Sequence, residues 1–201
     1  MFAVACCSRR NSKRISEKAV KIVYSVNDTI LYGSHGVCRI TGIEEKNFSG
    51  NLVKYYVLCP VYSENSTIYV PVDNEKLAGK MRRVLTPEEI YQIIRVMPQE
   101  ESFWIEEENE RKEKYKEILA RGDRLELVKM IKALYYHQQE QHAKGRRLHT
   151  ADEHFFREAE KLLYDEFALV LHIKPEQVLP FIMEQVEIQE KERECDAQQS
   201  E

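Results

Sequence analysis

Thr86-Pro87-Glu88-Glu89 is the stretch at which the sequence changes from one periodicity to another. Threonine is a favourable N-cap, proline is favoured at the first helical position, and a glutamate three residues after the cap closes a capping box. The apolar residues that follow recur at helical spacing until Pro98; they are Ile90, Ile93, Ile94 and Met97. This stretch therefore predicts a helix that separates a region of strands from a region of helices.

The region before Thr86 has the pattern of short strands separated by turns. Runs of β-branched and aromatic residues alternate with clusters rich in glycine, serine and asparagine, and this spacing is typical of small all-β folds. The five predicted strands are 29–32, 37–43, 53–61, 67–72 and 81–85. Together they predict a small antiparallel β-barrel of the SH3 or Tudor type.

The region after Pro98 has a helical pattern throughout. A first helix is expected over 104–120, and Gly122 and Asp123 predict its end and the start of the next. Thr150 and Glu153 predict a third capping box before the most apolar helix, and a short last helix starts at 175. The predicted fold class is therefore α+β, with a small antiparallel SH3/Tudor-like β-barrel followed by an all-α C-terminal domain.

Four divisions of the chain are expected from these patterns. Residues 1–23 form a basic, disordered extension, and residues 24–98 form the barrel with a closing helix. Residues 99–186 form the helical domain, and residues 187–201 form an acidic tail.

The 201 residues carry a net charge of −4 that is unevenly spread. Residues 1–23 carry +5, residues 104–148 carry +2 and residues 149–201 carry −9. A negative net charge argues against binding nucleic acid by bulk electrostatics alone. The acidic C-terminal region either repels DNA and acidic partners or only keeps the protein soluble.

Several kinds of chemistry have no counterpart in the sequence. Five cysteines, an odd number without a Cys-x-x-Cys pair, are typical of free thiols in a reducing cytosol. No phosphate-binding glycine loop, cluster of metal ligands or apolar run of 18 residues is present. Cys59 and His35 could form a nucleophile and a base, but a thiol in an apolar strand is typically buried and inert. We therefore expect a cytoplasmic, non-enzymatic protein with no cofactor, metal, small-molecule ligand or membrane segment.

Short motifs occur in a characteristic order along both halves of the chain. They are Tyr24–Val37, Gly42-Ile43-Glu44, Tyr55-Tyr56-Val57-Leu58, Tyr69-Val70-Pro71, Leu119–Asp123, Val128–Leu134 and Glu160–Leu169. No single motif is specific, but in this order, over residues 24–183, they resemble the CarD/CdnL family of bacterial transcription regulators. The barrel of that family is shared with the RNA polymerase-interacting domain of transcription-repair coupling factor.

The resemblance implies a function without catalysis. The barrel would add its edge strand to a strand of the RNA polymerase β subunit, so that backbone hydrogen bonds supply affinity and a few side chains supply specificity. The helical domain would lie on promoter DNA, with a tryptophan in the minor groove and basic residues on phosphates. Such binding would stabilise the open complex with weak sequence specificity and strong salt dependence, and it would extend to rRNA transcription.

The resemblance also implies which residues make these contacts. The polymerase-binding residues are Lys46 at the end of the second strand and Tyr69, Val70 and Pro71 in the fourth, with Tyr69 where the family often has arginine. Trp104 is the implied wedge, although it lies four residues, about one helical turn, before the family's position. The residues expected on phosphates are Arg111, Lys112, Lys114, Lys116, Arg146 and Arg147.

Alternatives stay open at each of these positions. Trp104 either wedges into DNA or packs in the helical core, and the lysines either track phosphates or form a solvated face. Tyr32, Tyr55 and Tyr56 favour packing over partner contact. At the level of function, the chain is either this regulator, a module that binds polymerase or another protein without touching DNA, or an enzyme with an unrecognised site.

Overall fold

The computed structural model describes residues 24–48, 51–62 and 66–199. The predicted basic extension over 1–23 lies outside the described residues. Within them, an antiparallel sheet comes first along the chain and helices follow it, as expected for the α+β class.

Five strands form one antiparallel sheet. They are β1 (Thr29–Tyr32), β2 (Val37–Phe48), β3 (Asn51–Pro60), β4 (Ile68–Pro71) and β5 (Met81–Arg83), with a single-turn helix α1 (Glu75–Ala78) before β5. All five overlap the predicted strands, although β2 continues past the predicted 37–43 as far as Phe48. The predicted closed barrel is wrong, because the strand order is β4-β3-β2-β1-β5 and the two end strands of the described sheet do not pair with each other.

The strands of the sheet differ in length. β2 and β3 have 12 and 10 residues and form a long hairpin, whereas β1, β4 and β5 have four residues or fewer. A barrel closes only when tilted and staggered strands let the first and last strand pair. In the described sheet the end strands β4 and β5 do not pair with each other, so β4 remains an edge strand.

One face of the sheet is apolar and forms the core of the N-terminal part. Ile40, Tyr56, Leu58 and Val70 are buried there together. They share a face because alternate residues of a strand point to the same side and the register places Val70 opposite Tyr56. A register shift between Ile40 and Gly42 marks a β-bulge, which increases the local twist of the hairpin.

Five longer helices follow in the described part of the chain. They are α2 (Pro87–Val96), α3 (Glu108–Arg121), α4 (Arg124–Ala143), α5 (Thr150–Leu171) and α6 (Pro175–Gln199). The capping box predicted at Thr86 and Glu89 is confirmed by reciprocal hydrogen bonds. The predicted boundary between α3 and α4 is also confirmed, since Gly122 is left-handed and Asp123 accepts hydrogen bonds from the first turn of α4.

Three helix boundaries differ from the prediction. α3 begins at Glu108 instead of 104, because the Glu107 carboxylate caps a backbone N–H of its first turn. The capping box predicted at Thr150 and Glu153 is wrong, because His149 caps α5 and Thr150 is already its first helical residue. α6 is long, and it continues through the predicted acidic tail as far as Gln199.

α2 packs with the other helices. Its buried Ile90 and Ile94 share a core with Val128 of α4 and with Leu163 and Phe167 of α5. The sequence grouped this helix with the strands as a closing element. An apolar stripe predicts that one face of a helix is covered, but it does not say which surface covers it.

A buried ion pair joins the end of the sheet to the helices. Glu166 of α5 is 1% exposed and accepts a hydrogen bond from the backbone N–H of Leu85 at 2.9 Å. Arg124 of α4 donates to both oxygens of Glu166, at 2.8 and 3.1 Å, and to the Arg83 carbonyl at 2.9 Å. Because buried charges are stable only when paired and hydrogen-bonded, this arrangement fixes the segment after β5 to α4 and α5.

Candidate functional site

β4 offers an edge for strand pairing. It is hydrogen-bonded to β3 on one side, with Val70 opposite Tyr56 and Pro71 opposite Tyr55, and no strand of the described residues pairs with its other side. Pro71 suits this place, because proline has no N–H to donate and is confined to strand ends and edges. An edge strand presents backbone N–H and C=O groups that a strand of another chain can use.

Three side chains of β2, β3 and β4 form an edge patch, which consists of Lys46, Tyr55 and Tyr69. The Lys46 ammonium lies 3.3 Å from the centroid of the Tyr69 ring, and the Tyr55 and Tyr69 rings meet edge to face at 6.4 Å. A hydrogen bond with the Tyr69 side chain, aided by Glu44, raises the pKa of Lys46 above its usual value. The patch is accessible, since Tyr69 is 42% exposed. Two residues that the sequence predicts to bind polymerase, Lys46 and Tyr69, therefore lie in contact with each other.

The other two residues predicted at this edge are less accessible. Val70 is fully buried in the core of the sheet, and Pro71 is half-buried. The side chain of Val70 points into the core, so only its main chain is available to a partner.

Trp104 lies in the extended segment before α3 and is half-buried against the helical core. Its ring stacks on His137 of α4, with centroids 3.6 Å apart and an angle of 13° between the planes. The guanidinium carbon of Arg111 lies 4.4 Å from its centroid. The packing expected as one alternative is present, and part of the indole is still accessible to solvent.

Arg111 is buried in an ion pair. Its Nε and Nη2 donate to the two carboxylate oxygens of Asp152, each at 3.0 Å, and its Nη1 donates to the carbonyls of Ile105 at 2.7 Å and Glu106 at 3.2 Å. Arg111 is 6% exposed and Asp152 is 2% exposed. With its donors used inside the protein, the guanidinium of Arg111 holds the segment after Trp104 instead of facing a phosphate.

The three predicted lysines of α3 all have acidic partners on the same helix. Lys112 pairs with Glu108 at 2.5 Å, Lys116 with Glu113 at 2.8 Å and Lys114 with Glu117 at 3.8 Å. Pairs at these spacings are weak because their side chains are partly or fully exposed to solvent. They still lower the net positive charge that α3 presents to DNA.

Arg146 and Arg147 differ from these cations. Both are exposed, and no carboxylate of the described residues pairs with either. Their loop is well defined: Gly145 is left-handed and donates to the His142 carbonyl at 2.9 Å, and Arg146 N–H donates to the Gln141 carbonyl at 2.8 Å. This is the Schellman pattern at a helix C-terminus. It orders the backbone from which the two guanidinium groups project.

Sequence reasoning missed two residues that contact the predicted DNA-binding residues, Asp152 and His137. Asp152 lies 41 residues from Arg111, and no local pattern links the two. The His137 that stacks on Trp104 belongs to a different helix, so sequence spacing does not connect it to the indole either.

The described residues show little sign of other chemistry. No three His, Cys, Asp or Glu side chains converge as a metal site among them, and none of their helices is long and apolar enough to cross a bilayer. Cys38 is buried, and burial raises the pKa of its thiol to about 11. Cys59, expected to be buried as well, is half-buried. His35, its suggested base, stacks on Tyr32 with ring centroids 5.8 Å apart.

Two family models match the chain. The model of the CarD-like/TRCF RID domain matches residues 24–85, and the model of the CarD C-terminal domain matches residues 90–183. The matches meet at the capped start of α2, where the sequence changes its periodicity, and together they cover most of the chain. Proteins of the CarD type are non-catalytic transcription factors that interact with RNA polymerase. The chain belongs to the CarD/CdnL family.

Proposed function

We propose that this protein binds the β subunit of RNA polymerase through β4, contacts promoter DNA through its helical domain and stabilises the open complex. The observation that carries the proposal is the edge strand β4 with its accessible edge patch. No step of this function requires catalysis or a cofactor. Effects on rRNA transcription would follow at promoters whose open complexes are short-lived.

Strand addition at β4 is supported by what the edge offers. The main chain supplies hydrogen bonds, while the edge patch supplies an aromatic surface and a charge beside it. Tyr69 stands where the family often has arginine, but the Lys46 ammonium at 3.3 Å from its ring keeps a positive charge at nearly the same place. Tyrosine in such a position is typical of the residues that dominate interface energetics.

Tyr69→Glu tests this contact. A carboxylate in place of the ring removes the aromatic contact and offsets the positive charge of Lys46. We therefore expect binding to an isolated β-subunit lobe to weaken by about 30-fold or more. Tyr91→Glu is the control, because Tyr91 on α2 is 44% exposed, close to the 42% of Tyr69. Val70→Glu is a poorer test, since Val70 is fully buried and the variant would disturb the sheet itself. Unchanged affinity of a folded Tyr69→Glu protein would contradict the proposal.

Contact with DNA is supported by the loop of Arg146 and Arg147 and by the accessible part of Trp104. Two arginines without acidic partners can bind phosphates without reading bases, and a partly exposed indole can prop open a base step. We therefore assign the phosphate contacts mainly to Arg146 and Arg147, and we assign Arg111 to holding the segment that carries Trp104.

Salt dependence separates these assignments. The double variant Arg146→Ala/Arg147→Ala should reduce the slope of log affinity against log salt by about two, because each phosphate contact contributes about one. Lys144→Ala is the control, since Lys144 lies in the same loop but has Glu140 as a partner at 4.0 Å. A slope unchanged by the double variant would remove these arginines from the DNA interface.

A second candidate function is a module that binds polymerase or another protein without touching DNA. It is favoured by the ion pairs of the α3 lysines and by the burial of Arg111. Trp104→Ala distinguishes the two functions in a promoter-opening assay. A shorter open-complex lifetime with polymerase binding intact supports the DNA contact, whereas an unchanged lifetime supports the protein-only module.

A further inference from the structure

The indole of Trp104 is held by two side chains, one from each of its neighbouring helices. His137 of α4 stacks on it at 3.6 Å between ring centroids, and Arg111 of α3 places its guanidinium 4.4 Å from the ring centroid. Both contacts lie on an aromatic face, where stacking and cation–π attraction are favourable.

Each of these holding groups is itself held. The imidazole of His137 lies with Nε2 at 3.3 Å from Nε2 of Gln141, one turn farther along α4. The guanidinium of Arg111 is fixed by Asp152 and by the carbonyl of Ile105, the residue next to Trp104. The orientation of the indole is therefore set by a connected network before any partner binds.

We propose that His137 is a positioning residue, whose stacking on Trp104 presents the indole to promoter DNA in one orientation. The proposal rests on the DNA contact proposed above. A side chain ordered in advance loses less conformational freedom when it binds than a freely rotating one. Releasing one such side chain typically weakens binding by about three- to tenfold.

The free protein allows the stack to be measured without DNA, because Trp104 is the single tryptophan of the chain. We expect His137→Ala to increase acrylamide quenching of Trp104 fluorescence and to lower its anisotropy. His137→Phe should restore both values, since a phenyl ring preserves a stacking surface. Gln139→Ala, an exposed position on the same helix, is the control and should match the wild type. Circular dichroism of each variant shows that the helices are intact.

Open-complex lifetime then tests the positioning role in the full-length protein. His137→Ala should shorten the lifetime by about three- to tenfold and His137→Phe should restore it, with polymerase binding unchanged in both. If Trp104→Ala shortens the lifetime but His137→Ala does not, the positioning role is overturned and the proposed function stands. If Trp104→Ala leaves the lifetime unchanged, the DNA contact is overturned and the positioning role falls with it.

Discussion

Replacing Asp152 by asparagine removes the negative charge beside the buried guanidinium of Arg111 and keeps the size of the side chain. The two residues are 2% and 6% exposed, and two hydrogen bonds of 3.0 Å join them. Arginine does not lose its proton in proteins. The variant therefore has to bury a positive charge without a counter-charge, which is the costly way to break a buried ion pair.

The expected loss of unfolding free energy for Asp152→Asn is about 3 kcal/mol, at the lower end of the roughly 3–5 kcal/mol typical of such changes. The lower end applies because Arg111 keeps its hydrogen bonds to the carbonyls of Ile105 and Glu106, at 2.7 and 3.2 Å. The amide oxygen of the new side chain can also still accept one hydrogen bond. In a chain of this length the loss corresponds to a fall in Tm of about 6–12 °C.

Glu153→Gln is the matched control for this experiment. Glu153 is the next residue, lies in the same first turn of α5 and pairs with Arg157 at 2.5 Å in an exposed ion pair. Its substitution removes the same charge from the same helix end and should lower the unfolding free energy by less than about 1 kcal/mol. Urea unfolding followed by far-UV circular dichroism compares the two variants. A loss for Asp152→Asn no larger than that of the control would refute the role assigned to the buried pair.

Three further predictions concern single positions. Gly122→Ala should lower the free energy of unfolding in urea by about 1 kcal/mol, because Gly122 has a φ of +62°, which alanine rarely adopts. Gly42→Ala is the control and should be near neutral, since both positions have space for a Cβ. Equal effects of the two variants would contradict this reasoning. Cys38 should react slowly with maleimide in the native protein, because with a pKa of about 11 roughly one thiol in a thousand is ionised at pH 8. Rapid labelling of Cys38 in the native protein, detected by mass spectrometry, would count against its burial. A hydrogen bond from Arg83 lowers the pKa of the Glu89 carboxyl from 4.5 to about 2. The Arg83–Glu89 pair therefore contributes fully to the free energy of unfolding above pH 4.5, and this contribution is lost as the pH falls toward 2. The free energies of unfolding of the wild type and of Glu89→Gln should therefore converge as the pH approaches 2. A difference between them that does not change with pH would contradict the lowered pKa.

The features that the sequence predicted well are local ones. The capping box at Thr86, the left-handed Gly122 and the positions of the five strands depend on residues close together in the chain, and the structure confirms each of them. The family assignment also came from short motifs in order, and the two domain matches support it. Barrel closure was mispredicted because it depends on strand tilt and stagger across the whole sheet.

In the candidate site, too, contacts between residues close in the sequence were predicted and contacts between distant residues were not. Lys112 and Lys116 find their partners within the same helix, at spacings that the sequence displays, and their pairing was foreseeable as a solvated face. The partner of Arg111 was not, because Asp152 is 41 residues away and the two meet only when α3 packs on α5. A cation that the sequence placed on a phosphate is buried for this reason.

By itself, the sequence determined the strand and helix regions and their order, the caps at Thr86 and at Gly122 and Asp123, the family and the positions of Lys46 and Tyr69. Only the tertiary structure decided that the sheet is open, that α2 packs with the other helices, and that Trp104 contacts both His137 and Arg111. The physical reason is that periodicity and capping act over a few residues, whereas the environment of a charge or an aromatic ring depends on which distant segments pack around it.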